Sequence, residues 1–138
     1  MNIETKELLN KLVKENDINT FFSKNEGEFL TMDFKSFIND LLAQKELRLA
    51  DVVRDPGQGE YVYKVFNGTR KPSRNIIIGI SIGMKLTTNE TQFLLRLAKQ
   101  ALMDPRDRRD SVLIFAIKEK YDIIQTNNLL IEMNQDLL

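Results

Sequence analysis

The sequence predicts an all-helical protein, and three observations support this fold class. Apolar residues recur at intervals of three and four positions through most of the chain, which is the period of an amphipathic helix. Capping residues, Pro and Gly stand at the ends of these periodic segments, where helices begin and stop. Two segments 35 positions apart have similar sequences, and each has the pattern of a helical hairpin. We therefore expect about seven helices.

Composition narrows the possible functions. The chain has 138 residues, of which 42% are hydrophobic and 29% are charged. This balance is typical of a folded protein with one domain, or with a small domain and an appendage. The absence of Cys and His excludes disulfides, zinc sites built from Cys and His, and catalysis by a thiol or an imidazole. We expect no enzyme activity, no catalytic residue, no metal and no cofactor.

The chain carries no signal for a membrane or for export. It has no stretch of about 18 apolar residues, the length that a membrane-spanning helix needs. Residues 1–5 lack the basic-then-apolar order of an export signal. We therefore expect a cytoplasmic protein with no membrane partner.

Charge is segregated along the chain although the total is zero, with 20 Lys and Arg against 20 Asp and Glu. Residues 1–33 hold four bases and seven acids, a net charge of −3, and residues 121–138 hold three acids and no base. Residues 61–89, by contrast, contain five basic side chains and no acid. This middle region is where an anion would bind, although a charge run of this kind is equally an ordinary solvated face.

A leading helix is predicted near the start of the chain. Apolar residues between Leu8 and Val13 have helical spacing, and we expect this helix to end near residues 16–17. The polar stretch 23–28 predicts a loop.

Three further helices are predicted before residue 68. Asp33 is a good N-cap for an amphipathic helix over residues 34–45. Two short helices follow between residues 48 and 67, joined by a tight turn at Pro56 and Gly57. Pro cannot continue a helix, and Gly allows the backbone geometry of the turn.

Residues 76–84 have an ambiguous pattern. Their Ile residues alternate as in a β-strand, and β-branched side chains favour one. No second strand is available to pair with this segment, and a helix that is apolar on all sides is typical of a central buried position. We therefore predict a helix here.

The last third of the chain contains three helix-start signals. Thr87 with Glu90, and Asp122 with Gln125, have the spacing of capping boxes, and Asp107 is a good N-cap. The expected helices cover residues 87–102, 107–117 and 122–137.

The two similar segments are residues 74–102 and 109–137, which we call the first hairpin and the second hairpin. A shift of 35 positions aligns Arg74 with Arg109 and Lys85 with Lys120, and aligns several apolar pairs as well. We expect each copy to bury its apolar face on its neighbour and the pair to pack on the preceding helices. A chance match between two amphipathic hairpins is the alternative, because most aligned pairs are generic apolar residues.

Residues 34–84 resemble the helix-turn-helix domain of Xre/Cro-type, lambda-repressor-like transcriptional regulators. The resemblance rests on the capped first helix, the short helix 49–55, the turn at Pro56 and Gly57, and the helix 61–67 with the link that follows it. The whole segment 34–138 is similar to a bacterial subset of these regulators with a helical extension. The implied fold is a lambda-repressor-like helix-turn-helix bundle extended by C-terminal helical hairpins.

The resemblance also implies a function, which is sequence-specific binding of double-stranded DNA by a homodimer. The second helix of the motif, about residues 59–67, would lie in the major groove. The residues expected to face bases, or to lie near base edges or phosphate, are Gln58, Tyr61, Lys64 and Asn67. The residues expected to hold the phosphate backbone are Arg70, Lys71 and Arg74. A carboxylate at Glu60 would oppose binding in a groove lined by phosphates.

Other interpretations of these residues remain open. Lys64 and the basic residues after it would serve as solvated surface and salt bridges in a protein that does not bind DNA, and Tyr61 and Tyr63 would pack as half-buried aromatics. Arg106, Arg108 and Arg109 are expected to bind the acidic termini or cap helices, pairing locally with Asp107 and Asp110.

The chain is expected to consist of an N-terminal helical segment (1–32), a helix-turn-helix domain (33–86) and a C-terminal helical extension (87–138). The alternative function, from another class, is a protein–protein interaction module on a degenerate helix-turn-helix scaffold with little or no DNA binding. Its protein partner would bind the C-terminal helices.

Overall fold

The structure is a computed structural model that describes residues 4–28, 32–52 and 59–138. Within these ranges every regular element is helical, as predicted. None of the helices in this part of the chain is both long enough and apolar enough to cross a membrane. The chain divides into two compact units, Met1–Thr31 and Met32–Leu138.

The first unit contains two α-helices, α1 (Thr5–Lys14) and α2 (Ile18–Lys24), and a short 3-10 helix, Glu26–Glu28. The leading helix was predicted, but α2 was not, and the 3-10 helix lies in the predicted loop. The helix α2 begins because the side chain of Asp17 caps it, accepting a hydrogen bond from the Asn19 amide.

The second unit contains seven helices in its described residues, and they share one hydrophobic core. They are α3 (Phe34–Gln44), α4 (Leu49–Val52), α5 (Gly59–Phe66), α6 (Arg74–Gly83), α7 (Thr88–Leu97), α8 (Arg108–Lys118) and α9 (Ile123–Glu132). The segment 76–84 lies in α6 and its C-cap residue, so the prediction of a helix rather than a strand is confirmed. The helix α6 runs through the centre of the core, with buried Ile side chains on several sides. The predicted turn at Pro56 and Gly57 lies outside the described residues.

The predicted helix starts are confirmed by side-chain caps. Each cap accepts a hydrogen bond from the backbone amide three residues later, which satisfies a donor that has no partner inside the helix. Two of the starts are full capping boxes. The predicted caps are Asp33, Thr87, Asp107 and Asp122, and Ser73 caps α6 in the same way.

Two predicted helices are too long. The structure ends α7 at Leu97 and α9 at Glu132, so the predictions that these helices reach residues 102 and 137 are wrong. Each helix is closed just past its end by a residue in the left-handed conformation, Lys99 in one case and Asn134 in the other, both with φ of 58°. The next amide then bonds back to the last turn of the helix.

The repeat seen in the sequence is also present in the hydrogen bonds. The hydroxyl groups of Thr91 and Thr126 donate to the carbonyl oxygens of their N-cap residues at 2.9 and 2.7 Å. The side chain of Gln92 accepts a hydrogen bond from the Met103 amide, and that of Asn127 accepts one from the Leu138 amide, 35 positions later. These matches favour a genuine structural repeat over a chance resemblance.

The two hairpins contact each other reciprocally. The ammonium group of Lys85 donates to the carbonyl oxygen of Lys120 at 2.7 Å, and that of Lys120 donates to the carbonyl oxygen of Lys85 at 3.1 Å. Reciprocal contacts of this kind are typical of a two-fold relation. The first hairpin also packs on α3, where the rings of Phe37 and Phe93 lie edge to face at 4.8 Å. The hairpins therefore pair with each other, and the first one also packs on the preceding helices.

Candidate nucleic-acid interface

The helix α5 is fixed to the core by one face and exposes the other. Val62, Val65 and Phe66 are buried, and the side-chain amide of Asn39 on α3 donates to the carbonyl oxygen of Phe66 at 2.9 Å. That hydrogen bond holds the end of α5 against α3. The opposite face of α5 leads directly into an exposed segment, residues 67–71. Together with buried Pro72 and exposed Ser73, this segment forms what we call the basic loop, residues 67–73.

Tyr61, Arg70 and Lys71 lie together at this surface. The hydroxyl group of Tyr61 donates to the carbonyl oxygen of Lys71 at 3.2 Å. The guanidinium group of Arg70 lies over the Tyr61 ring, 4.6 Å from its centroid, a cation–π geometry. Tyr61 is half-buried against the core, whereas Tyr63 is exposed. Tyr61 therefore supports the basic loop from within α5.

Lys64 joins the same group and is paired with the one acid of α5. Its ammonium group lies 3.1 Å from a carboxylate oxygen of Glu60, and both side chains are largely exposed. An exposed pair of this kind contributes little to stability. The backbone carbonyl of Lys64 accepts hydrogen bonds from the amides of Thr69 and Arg70, so the basic loop folds back onto the end of α5.

Asn67 shapes the loop through its own side chain. Its side-chain oxygen accepts hydrogen bonds from the amide and the hydroxyl group of Thr69, at 3.0 and 2.6 Å. Gly68 follows with φ of +81°, a conformation that glycine adopts at low cost. The side-chain oxygen of Asn67 is therefore occupied by hydrogen bonds within the loop.

Lys35, at the start of α3, is a basic residue that the sequence analysis missed. A Cβ atom added at Gly68 would lie 2.9 Å from its Cδ atom, so the aliphatic part of Lys35 packs directly on the loop. Lys35, Lys64, Arg70 and Lys71 form what we call the basic surface. No sequence signal pointed to Lys35, because only the fold brings the start of α3 to residue 68.

Arg74 is oriented differently from the other predicted phosphate contacts. Its guanidinium group donates to both carboxylate oxygens of Asp110, at 3.0 and 2.9 Å, and to the carbonyl oxygens of Ala101 and Leu102, at 2.8 and 3.1 Å. These acceptors belong to the two hairpins, Ala101 and Leu102 to the first and Asp110 to the second. The structure thus brings Tyr61, Lys64, Arg70 and Lys71 together, and joins Arg74 to the hairpins.

Asp110 is the acidic centre of this contact. Burial disfavours its charged form, but hydrogen bonds from Arg74 and from the Asp104 amide, with the nearby charges of Arg74 and Arg109, hold the pKa of the carboxyl below its ordinary value. The arginine that is hydrogen-bonded to Asp110 is Arg74, 36 residues away, and the neighbouring Arg109 contributes only a nearby charge.

Arg109 binds the C-terminal segment, as expected, through the carbonyl oxygens of Asp136 and Leu137. Its remaining contact is the side-chain oxygen of Asn75, at 3.1 Å. Arg106 and Arg108 are exposed beside Arg109 and line an open cavity of about 890 Å³. Three of the cavity's other lining residues are acids, so its charge is largely balanced.

Gln58, the remaining predicted base contact, lies outside the described residues. Among the residues described, no group of three acidic side chains is arranged to hold a metal ion. Comparisons of the chain with protein-family models, with curated proteins and with solved structures found no match in any of the three. The geometry of α5 and the basic loop is therefore the feature that bears on function.

Proposed function

We propose that this protein is a DNA-binding transcriptional regulator of the Xre helix-turn-helix type, with α5 as the recognition helix in the major groove. One observation carries the proposal, namely the basic surface on the exposed side of α5 and its loop. It places four cations around one helix end, and phosphate groups on both sides of a groove attract such an arrangement.

The local contacts suit this role. The guanidinium group of Arg70 is held over the Tyr61 ring, and the backbone of Lys71 is held by the Tyr61 hydroxyl group. The Arg70 cation therefore loses less conformational freedom on binding than a free side chain would. In this role Lys64, on α5, and Asn67, the first residue after α5, would lie near base edges or phosphate. The regulator would act as a homodimer on double-stranded DNA, without a metal, a cofactor or catalysis.

The proposal is tested by binding of the purified protein to fragments of its own promoter region at low and moderate salt. One fragment should bind well above the others. Lys64→Ala and Arg70→Ala should each weaken binding and lower the slope of log K against log salt by about one, the value expected for a lost phosphate contact.

Lys118→Ala provides a matched control. Lys118 is an exposed cation on the second hairpin, paired with Glu119 at 3.3 Å, and its removal changes the net charge by the same amount. This variant should bind like the wild type. If no fragment binds even at low salt, or if all three variants weaken binding equally, DNA recognition by the basic surface is wrong.

One observation favours the second candidate, an interaction module that binds a protein through the C-terminal helices. The second hairpin exposes large apolar side chains, with Ile124 72% and Ile131 60% accessible on one face of α9. Apolar exposure of this kind marks interaction sites when it is contiguous. Loss of DNA binding in every arm of the experiment above would favour this candidate.

A further inference from the structure

The basic loop is anchored at both of its ends. On the α5 side, the amides of Thr69 and Arg70 bond to the Lys64 carbonyl oxygen, at 3.0 and 3.2 Å. On the α6 side, the anchors come from residues far along the chain. The side-chain amide of Gln100, just past α7, donates to the carbonyl oxygen of Pro72 at 3.2 Å.

Arg74 is the stronger anchor on the α6 side. Four hydrogen bonds tie it to Asp110, Ala101 and Leu102, and they involve all three of its guanidinium nitrogens. An arginine has five N–H donors in a fixed fork, so this one has little capacity left for a phosphate group. The carboxylate of Asp110 is itself held in place, because it also accepts a hydrogen bond from the Asp104 amide at 3.0 Å.

We propose that Arg74, Asp110 and Gln100 are positioning residues that order the basic loop without touching DNA. The two hairpins thereby set the geometry of Arg70 and Lys71, which lie four and three positions before Arg74, and so set DNA affinity. The consequence for affinity rests on the proposed function, whereas the ordering of the loop does not.

The repeat supplies an internal control for this inference. Arg109 stands where Arg74 does in the other copy and bonds to the equivalent carbonyl oxygens, those of Asp136 and Leu137. The segment before Arg109, residues 104–108, has no contact with α5 among the hydrogen bonds described. A change at Arg109 therefore perturbs the same kind of contact without removing a hydrogen bond to the basic loop, since the contact of Arg109 on α6 is the side chain of Asn75.

The direction in which Asp110→Asn changes DNA affinity distinguishes a positioning role from a simple effect of charge. Removing an acid from a protein that binds a polyanion should raise affinity, more so if Arg74 is then free to reach a phosphate. Positioning predicts the opposite, a loss of about fivefold or more. Binding is measured by fluorescence anisotropy on the selected fragment, at a temperature where circular dichroism finds each variant fully folded.

Arg74→Lys and Arg109→Lys form the matched pair. Lysine keeps the charge but cannot make the forked contacts of a guanidinium group. Arg74→Lys should weaken binding as Asp110→Asn does, and Arg109→Lys should leave it unchanged at a comparable loss of thermal stability. Gln100→Ala removes the second anchor and should weaken binding less, and it serves as the further variant if Asp110→Asn does not fold.

Hydrogen exchange at the amides of Thr69 and Arg70 tests the loop itself, with no DNA present. Exchange should be faster in Asp110→Asn and Arg74→Lys than in the wild type, and unchanged in Arg109→Lys. If the wild type binds no DNA but exchange responds in this way, the proposed function fails and the positioning contact stands. Unchanged exchange, or an Asp110→Asn protein that binds DNA as tightly as the wild type, overturns the positioning role.

Discussion

The first and second hairpins have the same internal architecture but different surroundings. Positions that face the hairpin interior are alike in the two copies, for example Thr91 and Thr126, which are both fully buried. Positions that face outward differ. Met84, buried in the first hairpin, corresponds to exposed Glu119, and Phe93, which packs on Phe37, corresponds to exposed Asn128. Positions that are alike in the two copies therefore form the interior of each hairpin. Positions that differ show where another helix packs on one hairpin and not on the other.

Met84→Ala and Glu119→Ala should give the largest contrast between the copies. Met84 is 1% exposed, and truncating a buried Met leaves a cavity that costs about 2–5 kcal/mol of unfolding free energy. Truncating exposed Glu119 should change stability by about 0.5 kcal/mol or less. Denaturant unfolding measures both values. Equal losses at the two positions would show that the second hairpin is covered in solution.

The two arginine contacts differ by one charge, because Arg74 faces Asp110 whereas Arg109 faces Asn75. Asp110→Asn should therefore lower the unfolding free energy by about 1–3 kcal/mol at neutral pH. The pKa of Asp110 is lowered in the folded protein from an ordinary value of 3.8. Its stabilisation is thus fully present above that value and is lost as the pH falls through the lower, folded value.

Acid unfolding checks this sign. The difference between the wild type and Asp110→Asn should be constant above about pH 5 and should shrink as the pH falls below about 4. A difference that does not shrink as the pH falls would mean that the carboxylate charge contributes nothing to the contact.

Asn75→Asp should make the contact of Arg109 resemble that of Arg74. We expect it to change stability less than the substitutions at Met84 and Asp110. The new carboxylate would face Arg109 and lie in the first turn of α6, where an acid is favourable. We expect a gain of about 0.5 kcal/mol in unfolding free energy, measured by denaturant unfolding beside Asn75→Ala, which removes the contact and adds no charge. An Asp variant no more stable than the Ala variant would refute this comparison.

Local features of the fold were predictable from the sequence, because their causes lie within a few residues. The caps at Thr87 and Asp122, for example, need only a side chain and an amide three positions later. The ends of α7 and α9 were not predictable from periodicity, since Leu102 and Leu137 continue the apolar pattern past the true ends. The left-handed conformations of Lys99 and Asn134 decide those ends. Of these two residue types, only Asn favours that conformation.

The candidate site was predictable only in part, for a related reason. Lys64, Arg70 and Lys71 are close in the chain and remain close in the fold. Arg74 is equally close in the chain, but its partner Asp110 is 36 residues away, and Lys35 reaches Gly68 from another helix. Hydrogen bonds of long sequence separation leave no periodic trace, so sequence patterns indicated neither the contact between Arg74 and Asp110 nor the position of Lys35 beside Gly68.

The reciprocal contact between the hairpins has a consequence for mass action. Two separate chains joined by such a face would dissociate on dilution, because their association depends on concentration. Here a short covalent segment, residues 103–108, connects the two halves and makes their pairing unimolecular. The Lys85–Lys120 and Arg74–Asp110 contacts therefore persist at any protein concentration at which the chain itself is folded.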